Sequence, residues 1–129
     1  MKLPEFSPDI EWKAPALSSL PSWADAKRIC IDIETKDPDL KAMGPGVRTN
    51  GHVIGVGFAI EDGPKAYLPM RHQGGGNLDE AQVWNYLRDN AKATKATIVH
   101  ANGQYDHDYL QENGVDLYHC PWFDVQIAD

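Results

Sequence analysis

The chain has 129 residues, of which 42% are hydrophobic and 24% charged, enough for one domain with a real core and too few for two. That balance excludes disordered and fibrous classes, and a formal charge of -7 argues against a nucleic-acid binder that works by bulk positive charge. The longest apolar run, Val53 to Ile60, falls far short of the ~20 residues of a bilayer span, so no membrane partner is expected. The opening MKLPEFSPD lacks the apolar stretch of a secretory signal. Cys30 and Cys120 have no metal-ligand spacing and read as reduced thiols of a cytoplasmic protein. The charge is uneven: residues 36–77 carry +1 and residues 78–129 carry -6. Such an acidic surplus is ordinarily a solvated surface, but carboxylates converging on a divalent ion would give it another meaning.

In chain order, the first 26 residues hold four of the nine prolines. With Trp12, Leu17, Leu20 and Trp23 between them, residues 1–23 read as an extended arm lying on a body of residues 24–129. Arg28 to Thr35 alternates strictly, which predicts a strand with Ile29, Ile31 and Ile33 on one face and Cys30, Asp32 and Glu34 on the other. Residues 36–51 read as a polar loop. Val53 to Ile60 is a second strand, whose Gly55 and Gly57 leave one face bare for a close neighbour. A turn at 61–64 leads to a third strand over 65–70. Gly74 to Gly76 lacks the Lys-Ser/Thr of a phosphate-binding loop and reads as a plain connection. Asn77 is the expected cap of an amphipathic helix over 78–92, with the stripe Leu78, Ala81, Trp84, Leu87 and Ala91 facing the core. A fourth strand at 97–102 and a helix at 105–112, stopped by Asn113-Gly114, follow. The remainder has room for one more strand and the first turn of a helix. Hairpin-length links followed by a helical crossover predict three mutually antiparallel strands, with the fourth parallel to the first and beside it.

A lone D-x-E is weak evidence in so acidic a chain, and this one has two. Asp9-Ile10-Glu11 lies between prolines and reads as surface. Asp32-Ile33-Glu34 lies in an apolar strand, where two charges are costly without cations or hydrogen bonds. Strand residues two apart point to one face about 6.6 Å from each other, a spacing from which both carboxylates reach metals ~4 Å apart. Asp106 opens the second helix, four residues after Asn102. With the fourth strand beside the first, it would project toward Asp32 and Glu34. On its own it reads equally as a first-turn acid favoured by the helix dipole.

The stretches ICIDIET, VIGVGFAIEDGPKAYLPMRH, HANGQYD and FDVQIAD resemble, in order and spacing, the 3′-to-5′ proofreading exonuclease domain of family A DNA polymerases, the bacteriophage members most of all. The resemblance covers residues 24–129. It implies an α/β fold of the ribonuclease-H-like kind: a mixed sheet of three antiparallel strands and then parallel ones, with flanking helices. It also implies two Mg²⁺ or Mn²⁺ ions as cofactors and the 3′ end of single-stranded DNA as substrate. The family's first motif, D-x-E, matches Asp32 and Glu34, and its second, N-x-x-(F/Y)-D, matches Asn102, Tyr105 and Asp106. By resemblance Asp32 bridges both metals, Glu34 holds the metal that activates water, and Asp106 supports the second. Thr35 touches the terminal nucleotide, and Asn102 and Tyr105 help to position the strand. Lys36, Lys41, Arg48, Arg71 and His72 are candidates to meet the phosphate backbone, although a solvated face explains them as well.

The family's third motif, Y-x-x-x-D or H-x-x-x-D, has no match: Asp124 is preceded four residues earlier by Cys120. No polymerase motif is present either. The chain therefore reads as the front, C-terminally incomplete part of such a domain, cytoplasmic, or in the host cytoplasm if phage-encoded. Its partners would be the remainder of a polymerase chain or a second copy, meeting apolar surface around Trp122, Phe123 and Ile127. Two other functions compete: a non-catalytic binding or interaction module that keeps the fold, and a zinc site from His100, His107, His119 and Cys120. The spacings of the latter fit no known pattern.

Overall fold

A computed structural model describes residues 12–101 and 103–125. Its centre is β1 (Arg28–Lys36), whose burial alternates strictly over its first six residues: Ile29, Ile31 and Ile33 are buried, and Cys30, Asp32 and Glu34 face outward. Around it stand β2 (His52–Ile60), β3 (Lys65–Pro69), β4 (Thr97–His100) and β5 (Trp122–Asp124), in the spatial order β3-β2-β1-β4-β5. The β1–β2 and β2–β3 pairs are antiparallel, and the β1–β4 and β4–β5 pairs are parallel. This is the expected arrangement for the first four strands. The β2–β3 turn closes through the Gly63 N–H donating to the Ile60 carbonyl at 2.9 Å.

Helix α1 (Leu40–Met43), a single turn ended by Gly44, lies within the stretch read as loop. The second helix, α2 (Glu80–Ala93), starts later than its pattern suggested, and its cap is Asp79 rather than Asn77. Asp79 accepts from the Gln82 N–H at 3.0 Å. Asn77 is already committed to the preceding loop, where it accepts from the His72 N–H at 2.8 Å and donates to the His72 carbonyl at 2.9 Å. The buried stripe is Val83, Trp84, Leu87 and Ala91; Trp84, Leu87 and Ala91 are on it as expected, whereas Ala81, in the first turn, is exposed and Val83 is buried instead. Helix α3 (Gly103–Glu112) begins two residues before the expected start. It ends as its sequence implies: Gly114 has φ 83°, a region where a side chain is strained, and the Val115 N–H returns to the Leu110 carbonyl at 2.9 Å.

The isoleucine face of β1 joins Val56, Phe58, Leu68 and Ile98, the buried sides of α2 and α3, and Trp23 in one core. Trp23 is 0% exposed. Its ring lies 5.1 Å from that of Phe58 and edge-on to Tyr86 at 6.1 Å. The Trp23 backbone N–H donates to Asn90 Oδ1 at 2.8 Å, and Tyr86 Oη donates to the Pro21 carbonyl at 2.6 Å. The segment ahead of β1 thus ends as part of the core. Residues 1–11 of the arm, with Asp9 and Glu11, and Asn102 and Ile127 lie outside the described residues. On the opposite sheet face Cys30 is exposed beside Asp32, and Phe123 on β5 is 51% exposed. Trp122, by contrast, is half-buried, with its ring against His100 and His107 at 4.8 and 4.3 Å. Among the described residues, no helix is long and apolar enough to cross a membrane.

Candidate active site

Parallel pairing with β4 covers only Arg28 to Cys30 of β1. Beyond Cys30, among the described residues, that edge of β1 has no strand partner, and α3 opens there. Asp106, in the first turn of α3, lies at this opening, close enough to the Ile33 N–H and to the Asp32 side chain for both to act on its carboxyl. Burial first, and then the Asp32 charge, push the Asp106 carboxyl up to about 7. Asp106 is 8% exposed, and its Oδ2 is buried without a hydrogen-bond partner. Two carboxyls thus face each other at the sheet edge, one of them with an unsatisfied oxygen. Uncompensated, that arrangement is costly, and a divalent cation or a shared proton relieves it.

Glu34 takes a different direction. In register, Asp32 stands opposite Gly57, which stands opposite Tyr67, and Glu34 stands opposite Gly55. The bare strip formed by the two glycines is occupied by the Tyr67 side chain: a Cβ on Gly55 would stand 1.9 Å from Tyr67 Oη. Tyr67 Oη reaches across to donate to Glu34 Oε2 at 3.2 Å. His72 Nε2 lies 2.5 Å from the same phenol oxygen and 3.8 Å from Glu34 Oε2. With the phenol proton committed to Glu34, the His72 Nε2–H is left to donate to Tyr67. Burial, together with the Glu34 and Asp32 charges, raises the Tyr67 phenol well above its ordinary value. Among the described residues, no three His, Cys, Asp or Glu side chains converge tightly enough to hold a metal ion. Asp32 and Asp106 meet, and Glu34 lies on the same strand face, held by Tyr67 and His72.

A register shift falls between Glu34 and Thr35, a local irregularity of the kind that re-aims side chains beside active sites. Thr35 Oγ1 lies 2.9 Å from Tyr105 Oη. Tyr105 and Tyr109, one turn apart with rings at 5.2 Å, both donate to Asp37 Oδ2, at 3.2 and 2.8 Å. Asp37 also accepts from the Gly46 N–H. That bond, followed by the two phenols, holds its carboxyl below the usual range. Thr35, Tyr105, Gln104, Leu40, Pro45 and Asp108 surround a cavity of about 570 Å³. Thr35 and Tyr105, expected at the substrate strand, therefore share one wall.

Of the five basic candidates, Arg48 pairs with Glu112 at 3.4 Å, and His72 belongs to the Tyr67 cluster. The residues of the zinc reading disperse. His119 Nε2 and Cys120 Sγ both approach the Thr94 carbonyl, at 2.9 and 3.7 Å. His107 Nε2 accepts from the Leu117 N–H at 3.4 Å, and burial pushes the His107 imidazole down to about 4. Sequence reasoning missed Tyr67 and Asp37. The signal for Tyr67 was present, because a glycine pair in a central strand requires something to lie over it.

No protein-family model matches the chain. It is 52% identical over 122 residues, 92% of its length, to a protein of Pseudomonas phage M6 named DNA-directed DNA polymerase. The chain spans 18% of that relative's length.

Proposed function

We propose that this chain is a nuclease module of a DNA polymerase, ribonuclease-H-like in fold, that removes nucleotides from single-stranded 3′ ends with two divalent ions, Mg²⁺ or Mn²⁺, as in proofreading. The observation that carries the reading is the approach of Asp32 and Asp106 beside β1, with Asp106 Oδ2 buried and unpartnered. The strand order and directions, the D-x-E and N-x-x-Y-D spacings and the similarity to a phage polymerase support it.

The donor set suits hard cations, which prefer carboxylate oxygens. Asp32 and Asp106 would hold the first ion between them, and Glu34 would complete the second position after turning from Tyr67. Such ions supply the positive charge that draws a phosphodiester into an acidic site and acidifies a water beside it. The protein's own residues do the rest. Asp106, beside the Ile33 N–H, keeps a second carboxyl next to Asp32. Thr35 and Tyr105, joined by their hydroxyls and anchored through Asp37, form a wall against which the terminal nucleotide lies. Asn102 and Tyr105 would position the strand.

The test is release of mononucleotides from a 5′-labelled single strand. The expected result is slow, divalent-dependent shortening from the 3′ end that Asp32→Ala abolishes. Cleavage that survives Asp32→Ala, or needs no divalent ion, overturns the proposal. A second reading, a binding module without catalysis, is favoured by Glu34 being held by Tyr67 and His72, apart from the Asp32–Asp106 pair. Strand binding without any shortening would select it.

A further inference from the structure

Tyr67 and His72, which hold Glu34, also line a cavity of about 730 Å³ whose other walls include Trp12, Lys13 and the Gly74–Gly76 loop. That size lies within the range of ordinary ligand sites. The Trp12 indole is 59% exposed and faces the Tyr67 phenol at 6.1 Å, tilted by 51°. An indole left in water over a concave, aromatic-walled surface is a stacking platform without its planar partner. The loop across the cavity adds no side chains to fill it: no atom stands within 4 Å of where a Cβ on Gly74, Gly75 or Gly76 would lie. It is held open at one end by the paired Asn77–His72 bonds. Lys13 supplies a cation at the rim, and no carboxylate is among the described residues that line the cavity.

Tyr67 is the wall that this cavity shares with the carboxylates, since its hydroxyl bonds Glu34. We infer that the cavity takes an unpaired nucleobase of the same single strand whose terminal phosphodiester lies at Asp32 and Asp106, stacked on Trp12 and Tyr67 with its phosphate toward Lys13. The inference rests on the nuclease reading and adds to it a second point of hold, insensitive to base identity because every base has a π-face. It also gives the Tyr67–Glu34 bond a role: an occupied cavity presses on the ring that holds Glu34. Paired DNA, whose bases are already stacked, would gain nothing from the cavity.

The probe is a short fluorescent oligothymidylate, its binding followed by anisotropy with Ca²⁺ present. Alongside it runs the same strand with single abasic positions near the 3′ end. Trp12→Ala should weaken binding roughly 5- to 100-fold, the range of one lost base stack, and Trp12→Phe should recover most of it. One abasic position should cost the wild-type chain the same factor and cost Trp12→Ala nothing further. Mn²⁺ affinity should be unchanged in Trp12→Ala, whose exposed ring is no part of the core. Equal strand binding by Trp12→Ala and wild type overturns the inference, as does a loss equal at every abasic position. If those results come with Mn²⁺ binding that Asp32→Ala abolishes, only the cavity assignment fails. If the wild-type chain binds no strand at all, the nuclease reading fails with it.

Discussion

Replacing Asp106 by asparagine should make the protein more stable and unable to do its proposed work. The Asp106 carboxyl is raised from 3.8 to about 7, by burial first and the Asp32 charge second. A raised carboxyl binds a proton in the folded state that the unfolded state has already lost. Its penalty is therefore absent below the unfolded value, grows as pH rises from about 4, and is complete above about 7. Three units correspond to about 4 kcal/mol at 1.36 kcal/mol per unit, and to about 1.5 kcal/mol at pH 5, where only the unfolded carboxyl is fully ionised. An asparagine keeps an acceptor for the Ile33 N–H and offers Asp32 an amide donor in place of a second charge. Urea unfolding in EDTA should then show D106N more stable than wild type by up to about 4 kcal/mol at pH 8.5, the gap shrinking by about 2–3 kcal/mol at pH 5. Saturating Mn²⁺ should reverse the order, because an ion bound only by the folded wild-type chain stabilises it alone. A D106N chain that is less stable at pH 8.5, or a gap that does not move with pH, would refute the reasoning.

Three other substitutions probe the surroundings. Gly55→Ala puts a Cβ 1.9 Å from Tyr67 Oη, so the ring must move; it should cost about 1–3 kcal/mol, read as a lowered urea midpoint. Tyr67→Phe removes the donor to Glu34. It should leave the fold within about 1 kcal/mol of wild type and, by freeing Glu34 to turn toward the second ion, raise the nuclease rate more than strand affinity, which a rate-against-affinity comparison separates. His107 is lowered to about 4 by burial. Its contribution is whole above about 6.5 and is lost as pH falls toward 4, a fall of about 3 kcal/mol that His107→Gln should flatten in acid unfolding curves.

The strands were legible because their signals are local and repeated. Strict alternation from Ile29 to Glu34 set both faces of β1, and the short links ahead of α2 set the directions. The errors fall where two residues compete for one role or where tertiary contact decides. Asn77 and Asp79 are equally good caps by chemistry, and only the fold of the 72–77 loop, which uses Asn77, selects Asp79. Trp23 sits in a proline-rich stretch that reads as an arm, yet the Phe58 and Tyr86 rings draw it into the core. In the candidate site, the Asp32–Asp106 approach followed from strand order, whereas the closeness of Asp106 to the Ile33 N–H depends on β4 being too short to pair with the rest of β1. No local pattern encodes that length. Nor does any pattern say that Tyr67 crosses Gly55 to reach Glu34, although the glycine pair foretold that some side chain would.

Mn²⁺ titration followed by electron paramagnetic resonance, on wild type, Asp32→Asn and Asp106→Asn, tests the central claim most directly. The account predicts weak saturable binding by the wild-type chain and its loss in both variants, each of which remains folded by circular dichroism. Equal Mn²⁺ binding by all three proteins, or none by the wild type, would contradict it.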